Sequence, residues 1–253
     1  IFIDVKDPEL WWPNNLGEHP LYTVKVLIST EDGIELDQRI LRIGLRTLTV
    51  KREKDEFGES FTVTVNGLPV FAMGADYILE DNLLGRCSYQ RTKRLLKDCK
   101  AANYNMIRVW GGAYYPEDYF YDLCDEYGLI VWQDMMFACG IYELNEEFEE
   151  NVVHETVDNI RRLRHHASLG LWCGNNEQEW EWITDWHEPK FQKFKPDYIK
   201  LYQMILPEIV KKEDPNTFYW PSSPSSGGFF DDPNDPNRGD MHNWEAWHNQ
   251  RPF

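Results

Sequence analysis

Residues 168–177, SLGLWCGNNE, decide how this chain is read. An apolar run through Cys173 gives way within four residues to Asn175, Asn176 and Glu177. A short apolar run closed by turn residues reads as a strand buried on both faces. Polar side chains crowding just past such a strand mark a site built at the C-terminal ends of parallel strands. The same switch recurs along the chain in VFAMGA (70–75), NMIRVW (105–110), GLIVWQD (128–134), TFYWPSS (217–223) and DMHNW (240–244). Each ends on polar or aromatic residues: Asp76, Arg108 to Trp110, Gln133 and Asp134, Ser222 and Ser223, His242 to Trp244. Helical patterns fill the gaps at 89–102, 116–127, 145–165 and 196–213. The longest carries acids in its first turns and bases in its last, which complements the helix dipole.

Strand–helix alternation predicts an α/β fold with parallel strands, either a doubly wound sheet or a (β/α)8 TIM barrel. No GxGxxG or GxxxxGK[ST] phosphate turn is present, which favours the barrel. Residues 70–253 hold six predicted strands, short of the about 250 residues of a complete barrel. The expectation is a barrel truncated after its sixth strand. An open barrel leaves edge ladder groups unpaired, so either a homo-oligomer or borrowed strands, or else a marginal, aggregation-prone fold, is expected. Upstream, LYTVKVLIST (21–30), ELDQRILRIGLRTLTV (35–50) and FTVTV (61–65) alternate as antiparallel strands, with a hairpin turn at Asp32–Gly33. They read as part of a β-sandwich.

With 26 Lys+Arg against 43 Asp+Glu the net charge is −17, which argues against nucleic acid and anionic membranes as partners. No apolar run is long enough to span a bilayer. The N-terminus has neither a basic segment nor an apolar one like a signal peptide. It lacks Met and starts within a pattern, as expected of a piece of a longer chain. Five cysteines show no CxxC and no zinc spacing, and no N-x-[ST] sequon occurs. Reduced, mostly buried thiols and a cytoplasmic location are expected. The 11 Trp, 13 Tyr and 13 Phe read either as an aromatic core or as platforms for flat, ring-shaped ligands such as sugars.

Glu177 is placed for acid–base work, in buried surroundings expected to raise its pKa; otherwise it is a loop glutamate capping the next helix. Glu179 and Glu181 follow it among Trp180, Trp182 and Trp186, rings that stack on a sugar or form an amphipathic core stripe. Arg108 can orient a carboxylate beside Trp110 and Gly111–Gly112 or stabilise a tight turn. Asp134 is a candidate to hold Arg108 by a charge-assisted pair, supporting rather than doing chemistry. His242, with Trp244, could bind a substrate hydroxyl or serve structurally. His165–His166 at a helix end read as dipole complementation, and DDPNDPNRGD (231–240) as a solvated loop without EF-hand spacing.

The stretches PELWWPNNLGEHPLYTV (8–24), IGLRTLTV (43–50), NGLPVFAMGADY (66–77), NMIRVWGGAYY (105–115), LIVWQD (129–134), RHHASLGLWCGNNE (164–177) and DMHNWEAWH (240–248) together resemble β-mannosidases of glycoside hydrolase family 2, in the family's order. The resemblance implies that 1–50 is the C-terminal part of an immunoglobulin-like sandwich, 51–69 a connecting β segment and 70–253 most of the catalytic barrel. It implies Glu177 as general acid/base and Asn176 binding the sugar 2-hydroxyl; Trp110, His242, Trp244 and Asp76, from their places after predicted strands, and Trp186, as a ring near Glu177, are expected to bind the sugar with them. It also implies a retaining mechanism on β-mannoside oligosaccharides or glycoconjugates, with no metal and no organic cofactor. The nucleophilic glutamate is expected beyond Phe253, so these residues alone are expected to be inactive. A β-galactosidase or β-glucuronidase of the same family, or an inactive sugar-binding piece, are the alternatives.

Overall fold

The computed structural model describes residues 3–78 and 80–252, so the outermost residues of the first and last expected segments lie outside it. The fold is α/β, with three sheets among the described residues. Strands β1 (Tyr22–Ser29) and β2 (Glu35–Ile43) form an antiparallel hairpin. Its turn is closed by Gly33 N–H donating to the Thr30 carbonyl, with Gly33 at φ +86°. Strands β3 (Leu48–Lys51), β4 (Thr62–Val65) and β5 (Leu68–Val70) form a second antiparallel sheet. The expected first-domain boundary at residue 50 thus falls inside β3, which pairs with β4 rather than with the hairpin.

The third sheet is parallel, in the consecutive order β6 (Gly74–Tyr77), β7 (Met106–Val109), β8 (Ile130–Asp134), β9 (Leu169–Cys173) and β10 (Phe218–Trp220). Gly74 opens it because a Cβ there would meet the Met106 carbonyl at 1.7 Å. Helices α1 (Tyr89–Ala101), α2 (Asp118–Tyr127) and α3 (Glu146–Leu163) join successive strands. Between β9 and β10 lie α4 (Gln178–Thr184), α5 (Pro189–Gln192), α6 (Lys195–Lys200) and α7 (Leu206–Glu213), with a π-helical stretch at Leu201–Ile205. The Asn145 side chain caps α3 by accepting from Phe148 N–H at 2.9 Å, and the first turn carries Glu146, Glu147 and Glu149. No helix among the described residues is long and apolar enough to cross a membrane.

Period-2 alternation divides the core. Ile107, Val109, Val131 and Trp172 face the helices. Met106, Ile130, Trp132, Leu171, Cys173 and Trp220 face the other way, packed with Leu48, Val50, Val63, Val65 and Val70 of the small antiparallel sheet and with Trp11. Fully burying a large aliphatic side chain contributes about 1.5–3 kcal/mol, so this double-sided burial fixes the register of the strands that carry the site.

The expected sixth strand, 240–244, is a coil. Its backbone groups are taken elsewhere. Asp240 N–H donates to the Ser225 carbonyl, and the Asn234 side-chain amide accepts from His242 N–H at 2.7 Å and donates to its carbonyl at 3.1 Å. A residue whose N–H and C=O are both spent on one side chain has none left for a ladder.

Candidate active site

Glu177 occupies the turn between β9 and α4 in the left-handed region, φ 62° and ψ −8°. Non-glycine residues hold that conformation only where their surroundings impose it. Here Asn176 N–H donates to the Phe137 carbonyl at 3.0 Å and Glu177 N–H to the Ser223 carbonyl at 2.8 Å, stitching the turn to the loops after β8 and β10. Buried Asn175 completes it, its Oδ1 accepting from Ser222 Oγ at 2.7 Å and from Gln178 N–H at 3.2 Å.

The Glu177 carboxyl opens onto a cavity of about 970 Å³ at the C-terminal ends of the strands. Its lining includes Asp76, Arg108, Trp110, Asn176, His242 and Trp244. The structure therefore brings together on one cavity five of the six expected substrate-binding residues. The sixth, Trp186, lies off the cavity: half-buried just past the end of α4, it packs edge-on against buried Trp182 with ring centroids 4.9 Å apart.

Arg108 is the hub of the floor. Its guanidinium meets Asp134 through Nη2–Oδ2 at 2.8 Å and Nε–Oδ1 at 3.2 Å, the pairing expected from sequence. Nη2 also donates to Asn176 Oδ1 at 2.8 Å, and Nη1 lies 3.6 Å from Asp76 Oδ1. Fully buried Asp134 further accepts from Trp132 Nε1 at 2.9 Å and from Gly111 N–H at 3.0 Å. Burial pulls the Arg108 pKa down, but the Asp134 charge and hydrogen bonds outweigh it and hold the group above its ordinary value.

Burial alone would raise the Glu177 pKa, as expected. The structure reverses the direction: hydrogen bonding and charge from His242, with Trp244 and Cys139, outweigh burial and hold the carboxyl below the usual glutamate value. His242 Nδ1 lies 2.7 Å from Oε1, and Trp244 Nε1 donates to the same oxygen at 3.2 Å. The neighbouring Glu181 goes the other way. Burial, then the Glu177 and Asp185 charges, push it up to about 7. Glu179, fully buried, is also pushed up to about 7, chiefly by burial, while accepting from Ser225 Oγ and Phe230 N–H.

Sequence reading missed Cys139, whose Sγ lies 3.6 Å from Glu177 Oε2 and 3.2 Å from Asn176 Nδ2. Burial and the flanking carboxylates push its thiol up to about 11. It sits five residues beyond β8, so reading each strand-end loop further would have found it. Trp132, Met241 and Trp247, which also line the cavity, went unmarked as well. All five cysteines are free, and two of them, Cys124 and Cys173, are buried.

No family model matches the chain. Beta-mannosidase B of Aspergillus terreus is 41% identical over 256 residues, 98% of this chain and 30% of that protein. The crystal structure of the β-D-mannosidase of Dictyoglomus thermophilum superposes with a TM-score of 0.91 at 42% identity, again over 98% of this chain and 30% of the other. An exo-chitosanase of Amycolatopsis orientalis shares the fold at 19% identity and a TM-score of 0.66, over 87% of this chain and 24% of that one. The chain spans about 30% of the length of the curated relatives it matches. Along nearly its whole length, this chain is similar in sequence and in fold to part of these β-mannosidases.

Proposed function

We propose that this chain supplies the acid/base half of a retaining β-mannosidase site. The observation that carries the reading is Glu177: a strained turn sends one carboxyl into a cavity walled by Trp110, Trp132 and Trp244, with Asn176 beside it. Apolar rings accept the C–H faces of a sugar, and few convergent polar groups fix its orientation. The five consecutive parallel strands are read as part of a (β/α)8 barrel, for which a site at the C-terminal strand ends is the rule. The hairpin β1–β2 is read as the end of an immunoglobulin-like sandwich, and 70–253 as most of the barrel.

In a retaining glycosidase two carboxyls stand about 5–5.5 Å apart, one attacking the anomeric carbon and the other protonating the leaving oxygen and then deprotonating water. Glu177 takes the second role. The first belongs to a carboxylate supplied with the rest of the site. A like charge at that distance raises the Glu177 pKa against the pull of His242, loading the proton that departure of the leaving group requires. Asn176, its Oδ1 held by Arg108, keeps an amide N–H for the sugar hydroxyl next to the anomeric carbon.

A panel of aryl β-glycosides tests the substrate, using a polypeptide that contains this chain and the second carboxylate. β-Mannoside is expected to be turned over with the highest kcat/KM. A higher kcat/KM on β-galactoside or β-glucuronide would overturn the sugar assignment.

A further inference from the structure

Cys139, in the loop after β8, shares the strained backbone of Glu177: its φ is +44°, a value that suits glycine. Its N–H donates to the Asn176 carbonyl at 3.2 Å, and Asn176 N–H donates back to the Phe137 carbonyl at 3.0 Å. The two strained turns are thus laced together around Asn176. The side chains follow the backbone: Cys139 Sγ lies 3.2 Å from Asn176 Nδ2 and 3.6 Å from Glu177 Oε2. We infer that Cys139 is a positioning residue for the proposed proton transfer: its thiol bridges the Asn176 amide and the Glu177 carboxyl and leaves Oε2 as the oxygen that carries the proton. This rests on the reading of Glu177 as acid/base.

The direction of each bond follows from what the groups can do. Arg108 only donates, and its Nη2 holds Asn176 Oδ1 at 2.8 Å. The amide is therefore fixed with Nδ2 towards the sulfur, which accepts one of its hydrogens. The other hydrogen remains for a sugar hydroxyl. Burial, then the Glu181 and Glu177 charges, keep the thiol protonated. Its single hydrogen points to the Glu177 carboxylate, which the structure holds ionised. The two oxygens of that carboxylate are unequal. Oε1 meets His242 Nδ1 at 2.7 Å and accepts from Trp244 Nε1 at 3.2 Å, and an indole can only donate. A proton arriving on Oε1 has to displace one of these partners. Among the described residues Oε2 meets only the thiol, a weak donor at the long distance that sulfur allows. The proton that departure of the leaving group requires therefore settles on Oε2.

Glu181, on α4, is the rival acceptor for the thiol hydrogen. One of its carboxyl oxygens lies within 4.8 Å of Sγ and of the Glu177 carboxyl. Asp134 and Asp76 bear on the bridge only through Arg108, which holds the far end of the Asn176 amide. His242 and Trp244 hold the opposite oxygen of Glu177. The backbone at 139 offers a clean way to remove the bridge. Glycine takes a φ of +44° without strain, so Cys139→Gly deletes the thiol while easing the turn that carries it.

The infrared S–H stretching band reads the thiol directly and needs no turnover. The Cys139 band is assigned by its loss in Cys139→Ala. It is expected to move in Glu177→Gln and to keep its place in Glu181→Gln. Turnover is read in a polypeptide that also carries the nucleophile. Cys139→Ala and Cys139→Gly are expected to fold and to lower kcat/KM on an aryl β-mannoside roughly 2- to 10-fold, the worth of one hydrogen bond. Their alkaline limb should move to higher pH, because a donor to the ionised carboxyl is gone. Cys139→Ser keeps both a donor and an acceptor and should recover most of the loss. A band unmoved in Glu177→Gln would overturn the proposal. So would wild-type kcat/KM and an unmoved limb in folded Cys139→Ala and Cys139→Gly. Full mannobiose hydrolysis by Glu177→Ala would instead withdraw the acid/base reading, and this role with it, wherever the band lies.

Discussion

His242 Nδ1 stands 2.7 Å from Glu177 Oε1 although 65 residues separate the two in sequence. Glu177 is placed by the left-handed turn after β9, and His242 by Asn234, which holds its backbone from the preceding loop. The contact joins the carboxyl to a group that can carry positive charge, and it is why Glu177 titrates below rather than above an ordinary glutamate. A general acid must hold its proton at working pH, so in the role proposed for Glu177 this pair would set the pH range of activity.

Replacing His242 by Asn leaves burial to act on Glu177 with only Trp244 and Cys139 opposing it, and the Glu177 pKa should rise. Activity that needs protonated Glu177 falls as pH climbs through that pKa. The alkaline limb of kcat/KM should therefore move to higher pH. A pH–rate profile on an aryl β-mannoside checks this; an alkaline limb that stays put or moves down would show that His242 does not hold the proton balance.

Asp134 is fully buried and satisfies Arg108, Trp132 and Gly111 together. Asp134→Ala strands a largely buried guanidinium, and breaking such a pair costs about 3–5 kcal/mol. For a domain of this size that lowers Tm by roughly 10 °C. Asp134→Asn, which keeps one acceptor oxygen, should cost less. Calorimetry on both variants reads the difference.

Glu179 carries a pKa pushed up to about 7. Its folded value lies above the unfolded one, so the native state keeps a proton that the unfolded chain gives up. Its linkage makes stability fall as pH rises from about 4.5 to about 7, with nothing further lost above that. The span is on the order of 3 kcal/mol at about 1.4 kcal/mol per unit. Glu179→Gln holds the neutral form throughout. Urea titrations at several pH values should show a flatter dependence between pH 4.5 and 7 for the variant, and an equal slope would contradict the shift.

How much of this was legible in the sequence depends on how each feature is encoded. Strands β7 to β9 are buried almost throughout and read as apolar runs, so their places and their polar ends emerge from the chain directly. DMHNW carries only Met241 and Trp244 as apolar residues, and its failure to form a strand follows from the Asn234 side chain taking the His242 backbone groups. No local pattern announces that. The pocket was legible wherever its residues immediately follow a strand, as Trp110 and Asn176 do. Trp186 lies off the cavity, packed against Trp182, because a core-packing ring and a sugar platform use the same residue type and only the tertiary contact separates them. The direction of the Glu177 shift was illegible for a different reason: burial is local and visible in the apolar run before it, while the charge that overrides burial comes from a distant loop.

The central claim is that Glu177 delivers and then retrieves the proton. It is tested most directly by Glu177→Ala, assayed on mannobiose and on an aryl β-mannoside with an activated leaving group, in a polypeptide that also carries the nucleophile. Removing a general acid typically costs about 10²- to 10⁴-fold. Mannobiose hydrolysis should fall by that order, while the glycosylation step on the activated substrate, which needs little protonation, should fall far less. Added azide, which needs no general base, should restore turnover of the activated substrate. Mannobiose hydrolysis at the wild-type rate in the folded variant would contradict the account.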